Sequence, residues 1–267
     1  MASALITPEE LAAILPSVKM LDASYGVPDA QGGFARAHIG DAQFFDIDAI
    51  ADPKAPYPHM LPSAEDFSKA VGALGIGNDD EVVVYDQTGI SFAASRAWWM
   101  FRVMGHDRVR VLNGGLPAWM MTGQEVKTGI PTAPAAKTFK AAFRPGLYRS
   151  FDQIEDNEGD LVVDARNAPR FNAMIHNADG DTVPAQIPGS VNQPFQDLLD
   201  ERGRLMSADI MATKLFPLIA PGKRMVASCG SGVTACVVAL GFYEAGFPEV
   251  AIYDGSWTEY ADRNSLK

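Results

Sequence analysis

Arg224-Met225-Val226-Ala227-Ser228-Cys229-Gly230-Ser231-Gly232-Val233-Thr234-Ala235 is the stretch that decides the fold. Its first five residues form a short apolar run of strand length, and two glycines then break the pattern. Thr234 to Ala245 is apolar and long enough for a helix. Val250-Ala251-Ile252-Tyr253 reads as a second strand, and Asp254-Gly255 as a turn. A strand, a helix of ten or more residues and a further strand make a parallel βαβ unit.

The same order occurs earlier in the chain. Glu81-Val82-Val83-Val84-Tyr85 reads as a strand, Ser91 to Met104 as a helix, Val109-Arg110-Val111-Leu112 as a strand and Asn113-Gly114-Gly115 as a turn. Gly105 matches Gly246, Asn113 matches Asp254, Gly114 matches Gly255 and Trp119 matches Tyr260, each pair 141 positions apart. Leu21-Asp22-Ala23 answers Val163-Asp164-Ala165, and Ile39-Gly40 answers Ile187-Pro188-Gly189, at slightly larger offsets. A repeat of half the chain is a duplicated domain, whereas solenoid periods are ~20–50 residues. Between the copies, Gly129 to Pro145 holds Pro131, Pro134 and Pro145, several alanines and no amphipathic period, which suits an extended linker. The expected architecture is α/β, with one domain over residues 1–130, a linker over 131–145 and a second domain over 146–267, each a mainly parallel sheet flanked by helices.

With 267 residues, 47% of them apolar, the chain can bury two cores. Its formal net charge of −11 provides no basic stripe to neutralise phosphates, so nucleic acid is not an expected partner. Thr7-Pro8-Glu9-Glu10 ahead of Leu11 describes a helix start rather than a signal peptide. No apolar run approaches the ~18 residues of a membrane span. Two cysteines make no disulfide framework, and reduced thiols in a cytoplasmic setting are expected. His38, His106 and His176 show no metal-ligand spacing, so neither a metal nor another cofactor is expected.

A cysteine that leaves a strand for a glycine-rich turn at a helix N-terminus lies in a setting that favours the nucleophilic thiolate. Cys229 is so placed; Cys236, inside the apolar helix, reads as a buried core thiol. At the matching strand end the first copy has Asp86-Gln87-Thr88-Gly89 and no thiol.

On these residues the chain resembles the tandem rhodanese superfamily, most closely the branch that uses 3-mercaptopyruvate. The resemblance spans nearly the whole chain. It rests on Leu21-Asp22-Ala23-Ser24, Phe44-Phe45-Asp46-Ile47-Asp48, His59-Met60-Leu61-Pro62, Trp98-Trp99-Met100-Phe101-Arg102, the Cys229-Gly230-Ser231-Gly232-Val233-Thr234 loop and Tyr253-Asp254-Gly255-Ser256-Trp257. It implies two rhodanese-like domains, the first inactive and the second catalytic. It also implies transfer of sulfur from 3-mercaptopyruvate through a Cys229 persulfide to a thiol or cyanide, with pyruvate released. Thioredoxin or a low-molecular-weight thiol is the implied acceptor. By the same resemblance Ser231, His59 and Asp48 form a proton relay and Arg170 holds the donor carboxylate. Gly230, Gly232, Val233 and Thr234 complete the binding loop; Arg166, nearer the strand, reads as structural from its position. Thiosulfate-specific relatives carry two basic residues after the cysteine; Gly230 and Ser231 are neutral, so thiosulfate is expected to be a poor donor.

Two positions depart from the family pattern. Asp179 stands where a second carboxylate-binding arginine belongs, with Arg149 as a possible substitute, and Gln186 replaces a histidine before Ile187-Pro188-Gly189. Competing readings are a thiosulfate sulfurtransferase and a non-enzymatic sulfur-relay module. A cysteine phosphatase needs an arginine six residues after its cysteine, where this chain has Ala235.

Overall fold

A computed structural model describes residues 2–156 and 159–266. They divide into two compact units. Unit one contains Met1–Pro53, Leu61–Arg144 and Asp200–Leu205; unit two contains Lys54–Met60, Pro145–Leu199 and Met206–Lys267. The division is therefore not a single cut. Residues 200–205 join unit one through a pair of bonds: Asn113 Nδ2 donates to Leu205 O at 2.9 Å, and Leu205 N donates to Asn113 Oδ1 at 2.8 Å. Residues 54–60 join unit two, where the Tyr57 hydroxyl donates to Asp262 Oδ2 at 2.9 Å.

Unit one holds β1 (Leu5–Ile6), β2 (Lys19–Asp22), β3 (Gln43–Phe44), β4 (Val82–Tyr85) and β5 (Val109–Leu112), in the order β1-β5-β4-β2-β3. Unit two holds β6 (Tyr148–Arg149), β7 (Asp160–Asp164), β10 (Val191–Asn192), β11 (Arg224–Ser228) and β12 (Ala251–Tyr253), in the order β10-β7-β11-β12-β6. All pairings in both sheets are parallel. Taken in chain order the two sets give the same strand order, so the repeat seen in the sequence is a repeat of topology. Unit two adds an antiparallel hairpin, β8 (Met174–His176) and β9 (Thr182–Pro184).

The strand and helix boundaries follow from the sequence pattern. β5 and β11 coincide with the expected strands, and β4 and β12 begin one residue later. All four residues of β4 are buried, because a parallel sheet covered on both faces has no solvent side. The expected helices are Phe92–Val103 and Ala235–Glu244. Each ends one residue before a cap that is followed by Gly105 (φ +91°) or Gly246 (φ +97°). That left-handed conformation suits glycine and stops a helix. At the N-terminus, Thr7 caps Pro8–Ile14 in a reciprocal box with Glu10. Residues 130–144 contain neither helix nor strand and lie along unit one, where Lys137 N bonds Gly72 O, Ala142 N bonds Met104 O and Arg144 N bonds Val103 O.

The core of unit one gathers Leu11, Met20, Phe34, Ile39, Val83 and Trp119. That of unit two gathers Ile154, Val162, Ile187, Val226 and Tyr253. No helix among the described residues is long and apolar enough to cross a membrane.

Candidate active site

β11 is the middle strand of its sheet, and Cys229 follows its last residue. In open parallel sheets, loops at the C-terminal strand ends form the binding crevice. Cys229 is buried, at 2% exposure. Gly232 turns the loop with φ +77°, a conformation that a side chain would strain, and the Ala235–Glu244 helix begins behind it. Cys236, the second residue of that helix, is fully buried and its thiol donates to Gly232 O at 3.3 Å. The two thiols therefore have different surroundings: one ends a strand beneath a loop, and the other is bonded inside a helix.

A second element holds the cysteine from outside. The Ser256–Arg263 helix follows β12. Cys229 N donates to Ser256 Oγ at 3.1 Å, and that hydroxyl donates to Tyr253 O at 2.8 Å. Trp257 N donates to Cys229 O at 3.1 Å. Gly230 O accepts from Thr258 N at 3.0 Å and from Thr258 Oγ1 at 2.7 Å. Ser256, fully buried, takes a left-handed φ of +51° to make its contacts.

Arg170 converges on the same loop. It is carried by the short Ala168–Phe171 helix after β7, capped by Asn167, whose Oδ1 accepts from Arg170 N at 3.0 Å. A Cβ placed on Gly230 would lie 3.5 Å from Arg170 Nη2, so the exposed guanidinium stands over the glycine beside Cys229. Arg166 is held elsewhere. It is buried, bonds both oxygens of Asp164, donates to Ala185 O at 2.8 Å and lies 4.7 Å over the Trp257 ring.

Arg149 is not free to replace a missing arginine. Its Nε donates to Asp160 Oδ2 at 2.6 Å and its Nη1 to Tyr148 O at 2.7 Å, with both ends of the ion pair buried. Asp160 opens β7 and also pairs with Arg224, which opens β11, whereas Cys229 follows the end of that strand. The substitution suggested by the sequence fails because an ion pair buried in unit two already claims the guanidinium. Asp179 sits in the exposed turn between β8 and β9, its N bonded to Asn177 Oδ1.

His59 is nearly buried in a turn of unit two with φ +63°, a left-handed conformation that histidine adopts more readily than most residues. Asp48 lies in unit one, on the exposed first turn of the Ile47–Ile50 helix, and its charge helps burial to raise the Tyr25 phenol above its ordinary value. Among the described residues no group of three or more His, Cys, Asp or Glu side chains is arranged to hold a metal ion.

In unit one, Asp86 takes the place of Cys229. Its carbonyl accepts from Leu116 N at 2.9 Å, as that of Cys229 accepts from Trp257 N. Asp86 Oδ1 accepts from Thr88 N at 3.1 Å, Thr88 Oγ1 at 2.7 Å and Gly89 N at 3.0 Å. Burial pushes this carboxyl above its ordinary value despite those bonds.

Comparison with known proteins settles the family. A profile of the rhodanese-like domain matches residues 7–122 and again 149–263. The chain belongs to the rhodanese family. This rhodanese is 41% identical to the Arabidopsis thaliana thiosulfate/3-mercaptopyruvate sulfurtransferase 1, over 94% of this chain and 73% of that protein. It is 40% identical to human 3-mercaptopyruvate sulfurtransferase, over 91% of this chain and 84% of that protein. It is 42% identical to chicken (Gallus gallus) thiosulfate sulfurtransferase, over 92% and 87%. The crystal structure of Escherichia coli SseA, a 3-mercaptopyruvate sulfotransferase, superposes with a TM-score of 0.84 at 33% identity, covering 96% of this chain and 99% of that one. Sulfur transfer is common to these relatives, and this rhodanese is a sulfur-transferring enzyme. Overall identity does not separate the two donors, since relatives named for each match equally well.

The family motifs singled out Cys229 and Arg170, and unit two brings them together. Thr258 was missed in the sequence. Its signal lay in the repeat: position 258 matches Pro117, a residue that can offer neither an N–H nor a hydroxyl.

Proposed function

We propose that this rhodanese moves sulfur from 3-mercaptopyruvate to a thiol or cyanide acceptor through a persulfide on Cys229, in its second domain. The observation that carries the reading is the meeting of Cys229, at the end of the central strand, with the Arg170 guanidinium over Gly230. Arg170 offers a planar fork to the donor carboxylate. The Cys229 thiolate attacks the donor sulfur: the new S–S bond forms, the C–S bond breaks, and its electron pair leaves on carbon as the pyruvate enolate. A proton delivered through Ser231, His59 and Asp48 completes pyruvate. The acceptor thiolate or cyanide then takes the outer sulfur and frees Cys229. Backbone N–H groups of Ser231, Gly232, Val233 and Thr234 stabilise the charged sulfur. Support comes from unit one, where the N–H groups two and three residues after Asp86, those of Thr88 and Gly89, converge on Asp86 Oδ1.

The neutral Gly230 and Ser231 favour mercaptopyruvate over thiosulfate, whose second negative charge calls for more cations than Arg170 alone. The acceptor in this reading is a small thiol or thioredoxin in the cytoplasm. A comparison of kcat/KM for the two donors tests the assignment. Mercaptopyruvate should win clearly; equal values, or a preference for thiosulfate, would remove it.

A further inference from the structure

The two strand-end loops differ in how their peptide planes are held. In a planar trans peptide the C=O of one residue and the N–H of the next point in opposite directions. Trp257 N fixes the Cys229 carbonyl, and so fixes where the Gly230 N–H points. Thr258 fixes the Gly230 carbonyl twice, through its N–H and its hydroxyl, and so directs the Ser231 N–H away from the Ser256–Arg263 helix. Unit one has the first pin, from Leu116 N to Asp86 O. At the position of Thr258 it has Pro117, which has no donor. There the loop is organised from within, by N–H groups bonding to the Asp86 carboxylate.

A loop that must leave its hollow open for an incoming sulfur has no internal anion to organise it. We infer that Thr258 is a positioning residue for sulfur transfer, aligning the Gly230–Ser231 peptide so that the Ser231 N–H faces the sulfur of Cys229. Ser256 supports it by holding the Cys229 amide from the same helix start, in a left-handed conformation that Gly115 takes at the matching place in unit one (φ +54°). The inference rests on the persulfide reading above, because it concerns the donors around that sulfur.

The test compares Thr258→Val, which keeps the N–H and the size but loses the hydroxyl, with Thr258→Ser, which keeps both donors. Two rates are measured: persulfide formation from saturating mercaptopyruvate in a single turnover, and alkylation of Cys229 by iodoacetamide, which needs no sulfur donor. Loss of one hydrogen bond should slow Thr258→Val by about 3- to 10-fold in both. KM should stay within about twofold, since Arg170 still holds the carboxylate. Thr258→Ser should recover both rates. Thr258→Val at wild-type rates would overturn the inference, as would Thr258→Ser no better than valine. A protein that takes no sulfur from mercaptopyruvate would defeat the persulfide reading, and the alkylation rates would still decide the role of Thr258.

Discussion

The loops after β4 and β11 stand at the same place in two copies of one topology, and they treat a negative charge differently. Behind β4 the acceptor is built in: the Asp86 carboxyl is fully buried, and its own loop wraps donors around it. Behind β11 the residue is Cys229, the loop carries Gly230, Ser231 and Gly232, and the alignment comes from Ser256, Trp257 and Thr258 on a separate helix. The first arrangement is complete in itself. In the proposed reaction the second receives an atom that arrives with the substrate and departs with the product. Duplication kept the sheet, the crossover helix and the first backbone pin in both copies, and at these two strand ends the loops differ in one side chain and its supports.

The largest expected effect comes from making the second loop like the first. Cys229→Asp and Cys229→Ser should both abolish sulfur transfer, and the aspartate variant should still fold, because Asp86 shows that such a loop accommodates a carboxylate. Cys236→Ser should keep most activity, as a serine hydroxyl can still donate to Gly232 O from the first turn of the helix. Steady-state assays beside thermal melts check all three. A dead but folded Cys236→Ser with an active Cys229→Ser would reverse the assignment.

His59→Ala should slow persulfide formation by about 100-fold or more, within the range of a lost general acid, and should slow sulfur release to an acceptor much less. Single-turnover measurements of each half-reaction separate the two; an unchanged first step would reduce His59 to a turn residue. Arg170→Ala removes a charge-assisted contact worth about 1.5–3 kcal/mol, so kcat/KM for mercaptopyruvate should fall roughly 10- to 150-fold. Arg149→Ala should instead lower the melting temperature, since it removes the buried one of the two arginines that pair with Asp160, and should leave KM nearly unchanged.

The duplication and the strands were legible in the sequence because a parallel strand buried on both faces is a plain apolar run, and two such runs recur in the same order ahead of landmarks 141 positions apart. Cys229 was legible because its whole setting is contiguous in the chain. Thr258 was not, because it bonds Gly230 from 28 positions further along the chain, and only the fold brings the two together. Arg149 misled for the same reason: its partner Asp160 is invisible until β7 is in place. The β8–β9 hairpin carries polar residues with no clean alternation, so nothing in the pattern announced that Asp179 would lie in an exposed turn.

The smallest expected effect belongs to the quiet copy. Because burial raises the pKa of Asp86, the folded chain holds that proton more tightly than the unfolded chain does. Its contribution to stability is therefore full below about 3.8, the ordinary carboxylate value, and is lost as pH rises through the raised folded-state value. Asp86→Asn, which cannot ionise, should flatten that part of the stability profile in urea unfolding at a series of pH values, with sulfur transfer unchanged. An identical profile would mean that Asp86 does not titrate differently in the fold.

The central claim, that sulfur travels on the cysteine of the second copy, is tested most directly by mass. The protein is exposed to mercaptopyruvate without an acceptor, digested without reductant and mapped peptide by peptide. The account requires a gain of one sulfur atom on the peptide containing Cys229, at Cys229 rather than Cys236, and its loss when cyanide is added. Sulfur found on Cys236, or pyruvate released with no sulfur retained on the protein, would contradict it.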